Sequence, residues 1–153
     1  REHGKRWYVV GNNQTGGKFY CYGLDRIRDW VDGDESDFDP DRFDPNILWR
    51  HSLGIYIQWK DEQGKLHDTP PEEGISFRIK NGIRYNNIKY LESSPIHHSQ
   101  TPKVLDEFDE NGFVTVHLNM LPDSDLVRKL RSFGIHNLED ITPPFLDKWV
   151  RKD

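Results

Sequence analysis

Two adjacent prolines, Pro70 and Pro71, set the plan of this 153-residue chain. Proline has no backbone N–H and a fixed φ, so a pair of them stops a helix and cannot sit in a central strand. Polar Asp68-Thr69 and Glu72-Glu73 flank them, and the stretch reads as a stiff linker. Two small units are therefore expected, residues 1–69 and residues 74–153, sharing an interface. Apolar content is 34%, but five Trp, six Tyr and eight Phe supply large buried areas per residue.

Before the linker the pattern is of strands. Arg6-Trp7-Tyr8-Val9-Val10 and Lys18-Phe19-Tyr20-Cys21-Tyr22-Gly23 flank a Gly- and Asn-rich loop, the signature of a β-hairpin. Alternation puts Arg6, Tyr8 and Val10 on one face and Trp7 and Val9 on the other; in the second arm Lys18, Tyr20 and Tyr22 share a face. One face of the hairpin is thus expected to carry cations and phenols together. Asp25 to Val31 reads as a third strand, Asp44-Pro45 as the cap and first residue of a short helix reaching Arg50, and Ile55 to Lys60 as another strand turning at Asp61-Glu62-Gln63-Gly64. Strands with one short helix suit a small SH3-like or Sm-like β-barrel.

Beyond the linker, Ile75–Ile79 reads as a strand and Gly82 to Leu91 as a helix with Ile83, Ile88 and Leu91 inward. Lys103 to Phe108 and Phe113 to Asn119 are expected strands about the turn Asp109-Glu110-Asn111-Gly112. Asp123 to Phe133 is the clearest helix, with an acidic start, a stripe of Leu126, Val127, Leu130 and Phe133, a basic end and Gly134 as its stop. A short strand from Ile135 to Asp140 and a helix opened by Thr142-Pro143 complete the unit. The order strand-helix-strand-strand-helix-strand is the ferredoxin-like plan. The fold class is therefore α+β.

Net charge is −5, so the chain as a whole is no general polyanion binder. The charge is unevenly placed. Arg1, Lys5, Arg6, Lys18, Arg26 and Arg28 outnumber the acids before Val31, whereas seven acids between Asp32 and Asp44 face only Arg42. That acidic run imitates the start of a calcium loop, but Asp37 stands where the loop needs Gly and Phe43 where it needs Glu, so a solvated loop is expected. Phosphate loops, nucleophile elbows and metal-ligand helix spacings are absent, and no enzyme activity, cofactor or metal is expected. His97 and His98 would point to opposite faces of an extended segment and so could not chelate one ion. The lone Cys21 suits a buried thiol in a reducing cytoplasm. No apolar run approaches a membrane span.

Several of these residues also carry a family resemblance. Trp7-Tyr8-Val9, followed after the turn by Leu24-Asp25-Arg26-Ile27, resembles the WYL domain, with Val9 where the family's name has Leu. The match runs on through Phe38-Asp39-Pro40-Asp41-Arg42-Phe43-Asp44-Pro45 to His51-Ser52-Leu53-Gly54-Ile55. The segment 74–153, marked by Ser94-Pro95-Ile96-His97-His98-Ser99-Gln100, is similar to the extension called WCX. The resemblance implies the C-terminal part of a bacterial transcriptional regulator. Its helix-turn-helix DNA-binding domain, and the first strands of the barrel, would lie upstream of Arg1. It implies that the WYL region senses a nucleic-acid or nucleotide-like effector, possibly single-stranded DNA, and relays this to the DNA-binding domain of a homodimer.

Arg6, Tyr8, Tyr20, Arg26, Arg28, Arg50 and His51 are the candidate ligand-binding residues. Guanidinium forks suit phosphate, and phenol rings offer stacking faces to bases. Many WYL domains carry further Arg residues where this chain has Tyr20 and Gly23, which implies fewer phosphate contacts and salt-sensitive binding. The alternative is an interaction or dimerisation module whose basic face is merely solvated.

Overall fold

The computed structural model describes residues 2–13, 18–34 and 44–152. Among them the fold is mixed α+β, with small antiparallel sheets and four α-helices. Most of the solvated acidic loop expected from Asp32 to Phe43, and most of the hairpin connection, lie outside the described residues.

Strands β1 (Glu2–His3), β2 (Arg6–Asn13) and β3 (Lys18–Gly23) form the first sheet in that order. The hairpin is as expected, but its two arms face differently. Tyr8 lies opposite Gly23, Val9 opposite Tyr22, Val10 opposite Cys21 and Gly11 opposite Tyr20. Directly opposed residues share a face, so Tyr20 and Tyr22 join Trp7 and Val9, away from Arg6 and Tyr8. Alternation fixes the faces within each arm; the register between arms decides which faces coincide, and a slip of one residue exchanges them.

The third strand expected after the hairpin is a single 3-10 turn, Leu24–Arg26, closed by Ile27 N–H on the Leu24 carbonyl at 3.2 Å. Residues 27–34 pair with no strand among the described residues, and Trp30 and Val31 are exposed. Asp44 caps α1 (Pro45–Leu48) by accepting from Asn46 N–H at 2.9 Å, with Pro45 at the first helical position. Ile55–Lys60 is a strand only at its end. Ser52 Oγ donates to the Tyr56 carbonyl and Trp49 Nε1 to the Ile55 carbonyl, which occupies the acceptors that a longer ladder would use. Thus among the described residues β4 (Trp59–Lys60) pairs only with β5 (Leu66–His67), about a turn organised by Asp61 and by Gly64 at φ 80°. Neither helix nor strand crosses Pro70-Pro71.

The second unit holds the main core. Its sheet has β6 (Ile75–Ile79) in the centre, β7 (Val114–Leu118) on one side and β8 (Leu138–Thr142) on the other, all antiparallel. Thr101 adds one bridge to His117 of β7. Ile75, Phe77 and Ile79 alternate inward with Val114, Val116 and Leu118, and α2 (Asn87–Ser93), α3 (Ser124–Ser132) and α4 (Pro144–Arg151) supply Ile88, Leu91, Leu126, Leu130, Leu146 and Val150 to the same core.

Three expectations are corrected here. The helix expected from Gly82 starts at Asn87, because Asn81 and Asn86 side chains accept from Ile88 and Lys89 N–H and hold residues 82–86 in a loop; Ile83 is fully exposed. Lys103–Phe108 is not a strand. Glu92 takes Leu105 N–H at 2.8 Å, so that segment follows the end of α2 instead of β7. Residues 135–137 form a 3-10 turn, entered through Gly134 at φ 84°, before β8 begins.

His97 and His98 are corrected too. Gln100 N–H closes a turn on the His97 carbonyl at 2.9 Å, and the two imidazoles lie with centroids 3.9 Å apart, not on opposite faces. The turn joins the units: His97 Nε2 is 3.0 Å from the Arg50 carbonyl, and Leu121 N–H donates to the His51 carbonyl at 2.7 Å. Farther along, Trp59 stacks on Phe145 of α4 at 5.1 Å and Lys148 pairs with Glu62 at 2.7 Å.

A cationic cleft as the candidate functional site

The hairpin, the loop before β4 and α3 meet around a cleft of about 450 Å³. Arg6 and Tyr8 reach it from β2, because residues two apart on a strand project to one side. Arg26 arrives from the 3-10 turn, Tyr56 from the loop, and Asp125 and Arg128 from the first turns of α3. His3 closes the rim, its Nε2 3.9 Å from Asp125 Oδ2.

The carboxylates are spent on fixing two of the cations. Asp25 hydrogen-bonds Arg6, and this contact, with Tyr8 adding to it, raises the guanidinium pKa. Asp125 holds Arg128 one turn along α3. Arg26 is exposed and has no ion-pair partner among the described residues. The cleft therefore holds three permanently charged forks and two phenols, an arrangement that can take a phosphate-bearing group and stack a ring beside it.

Gly54 explains how α3 approaches so closely. A Cβ built there would stand 1.9 Å from Asp125 Oδ2 and 3.2 Å from His3 Nε2. Gly54→Ala is expected to push Asp125 aside and cost about 1–2 kcal/mol by overpacking. A urea melt checks this; an unchanged midpoint would mean that Asp125 swings away freely.

Of the candidate residues, the structure brings Arg6, Tyr8 and Arg26 to this cleft. Tyr20 lies on the other face of the hairpin, its ring 6.3 Å from Tyr22. Arg28 is exposed on the unpaired segment after the turn. Arg50 and His51 act through their carbonyls, which tie the two units; His51 Nδ1 is also 3.4 Å from the Asn119 carbonyl. His3, Tyr56, Asp125 and Arg128 were not singled out by the sequence. The basic end of α3 was visible there, but as a complement to the helix dipole.

No family model matches the chain, and neither does any curated protein. Among the described residues no group of His, Cys, Asp and Glu is arranged to hold a metal ion, and no helix is long and apolar enough to cross a membrane.

Proposed function

We propose that this chain is the effector-sensing region of a WYL-type bacterial transcriptional regulator. The effector is a nucleic acid or nucleotide, held in the cleft between hairpin and α3, and its binding is relayed to a DNA-binding domain. The observation that carries the reading is the convergence of Arg6, Tyr8 and Arg26, from the motifs that resemble the WYL domain, with Arg128 of the second unit. A ligand bridging both units would change their relation, which is what a relay requires.

The finer fold belongs to the same proposal. The first unit is an SH3- or Sm-like barrel, for which the antiparallel hairpin and the β4–β5 pair are the support. The second is a ferredoxin-like unit with its second strand reduced to Thr101. The order β8-β6-β7, with Thr101 bridging the outer edge of β7, matches that plan. In the WYL frame the regulator works in the cytoplasm as a homodimer on a palindromic operator.

Arg26→Ala tests the reading. It removes a guanidinium fork from the cleft and is expected to weaken single-stranded DNA binding by about 1.5–3 kcal/mol, the value of one charged hydrogen bond. Affinity of the native protein should also fall steeply with salt. Fluorescence anisotropy across a salt titration measures both. Equal affinities, or no binding at low salt, would favour the second reading, a protein-interaction module. That reading draws on the exposed apolar side chains Trp7, Tyr22, Leu24 and Trp30.

A further inference from the structure

The loop between β6 and α2 lies beside the C-terminal end of α3, and together they carry charge of one sign. Residues 80–91 and 126–138 hold six Lys and Arg and no Asp or Glu, in a chain whose net charge is −5. Two hollows of about 320 and 470 Å³ open on this surface, and both have Tyr85, Ser132 and Phe133 among their walls. Lys129 lines the first; Arg84, Arg131 and His136 line the second. No acid lines either one among the described residues. The loop also turns apolar side chains outward: Ile83 is fully exposed and Tyr85 is 76% exposed.

These side chains stand on a fixed support. Gly82 N–H closes a turn on the Tyr85 carbonyl at 3.0 Å. Asn87 Nδ2 donates to the Lys80 carbonyl at 3.0 Å and to the Phe133 carbonyl at 3.1 Å, which ties the loop to the end of α3. Lys129 Nζ sits 4.4 Å from the Tyr90 ring centre and donates to the Tyr90 hydroxyl at 2.9 Å, while that ring meets Phe133 edge-on at 6.1 Å. The side chains of Arg84 and Tyr85 have no hydrogen-bond or ion-pair partner among the described residues. Exposed apolar patches rimmed by polar groups mark interaction sites, and a loop already held in place costs little further ordering on binding.

We infer that this surface docks an acidic segment of a partner protein, with an aromatic side chain of that segment seated against Tyr85, Tyr90 and Phe133. It is a site separate from the cationic cleft and does not depend on the ligand of that cleft. Charge complementarity selects the partner's sign, because a surface with cations alone draws an acidic chain and repels a basic one. Carboxylates on either side of the anchor meet Arg84 and Lys129 in charge-assisted bonds. Ile83 argues for protein over nucleic acid. Phosphates and bases would use the cations and the tyrosine rings, but they gain little from a fully exposed aliphatic side chain in the same loop. An aromatic anchor gains from Tyr85 and Tyr90 by stacked or edge-on contact, as such rings do at the centres of protein interfaces.

A random library of short displayed peptides selected on the whole chain, followed by fluorescence anisotropy of the selected peptides, tests this. The selected peptides should carry Asp or Glu on both sides of Phe, Tyr or Trp. Tyr85→Ala and Arg84→Glu should each weaken their binding at least about tenfold. Neither substitution removes a side-chain hydrogen bond, so urea midpoints should stay at the native value. Arg26→Ala should leave peptide affinity unchanged, which separates this surface from the cleft. Failure to select any acidic aromatic peptide, or equal binding of such peptides to the native, Tyr85→Ala and Arg84→Glu proteins, would overturn the inference. Two further results would also overturn it by giving the surface another occupant. One is an oligothymidylate that loses affinity in Tyr85→Ala and Arg84→Glu and displaces no peptide until they are lost together. The other is a dimer of the native chain, seen by light scattering, that Tyr85→Ala dissociates.

Discussion

Asp123→Asn is expected to stabilise the free protein by about 2–3 kcal/mol at pH 7, and the gain should vanish below about pH 4. Burial pushes the Asp123 carboxyl up to about 6, with the neighbouring Asp125 charge adding to the effect against the two amide hydrogen bonds. The folded state therefore binds the proton more tightly than the unfolded state. Between the ordinary carboxylate pKa and about 6, stability falls as pH rises, and above that range the whole cost is present. Asn caps as well as Asp and carries no charge to desolvate.

His97 pulls the other way. Burial, then the charge of His98, hold its pKa down at about 4, and its Nε2 faces the Arg50 carbonyl while Nδ1 meets Ser99 Oγ at 2.7 Å. Here the unfolded state binds the proton more tightly, so stability is lost as pH falls from about 6.5 towards 4. In the native protein the two effects oppose each other over that interval and flatten the profile. In Asp123→Asn the histidine acts alone, and stability should drop steeply on acidification. Urea melts from pH 4 to 7.5 on both proteins decide the matter. A constant difference between them at every pH would show that Asp123 does not titrate as its burial requires.

The parts of the fold that could be read from sequence were those fixed by neighbours along the chain. The acidic start of α3, Gly134 as its stop, Asp44-Pro45 as a helix start and the strands β6 and β7 each depend on a few adjacent residues. What was not legible depended on partners far away or on side chains competing for backbone groups. Asn81 and Asn86 draw amides into a loop and delay α2, although the apolar spacing of Ile83, Ile88 and Leu91 fits a helix. Glu92 takes the amide of Leu105, and the expected strand there has no ladder to join.

The site divides in the same way. Arg6, Tyr8 and Arg26 could be named because they lie in one hairpin and its following turn, where alternation and motif agree. Tyr20 separates from them because alternation says nothing of the register between arms, which pairs even positions of β2 with odd ones of β3. Arg128 and Asp125 enter the cleft only because α3 packs against the hairpin and the loop that carries Tyr56. Gly54 was the nearest thing to a signal for that packing. It stands within the segment from His51 to Ile55 that resembles the WYL domain, and its missing side chain is what admits Asp125.

That same seam makes Gln100→Leu the most damaging substitution expected. Gln100 is wholly buried; its Oε1 accepts Ile96 N–H at 2.9 Å and its Nε2 donates to the Leu91 carbonyl at 3.1 Å. Leucine has a similar volume but makes neither bond, and both backbone groups would stay in the core unpaired. At about 1–3 kcal/mol each, the loss is about 2–6 kcal/mol, a large share of the 5–15 kcal/mol that holds a typical domain. The damage should be directional. The Gln100 turn presents His97 to the Arg50 carbonyl, so loosening it should free the segment before β4 and open the cleft while β6 and β7 stay protected. Gln100→Glu gives the contrast. It keeps an acceptor for Ile96 but, once ionised, sets a carboxylate against the Leu91 carbonyl, so it should fold well only at low pH. Amide hydrogen exchange, read separately for residues 49–60 and 75–79, together with the urea midpoint, measures both effects. A midpoint for Gln100→Leu within about 1 kcal/mol of native would mean that backbone rearrangement satisfies Ile96 and Leu91 without this side chain.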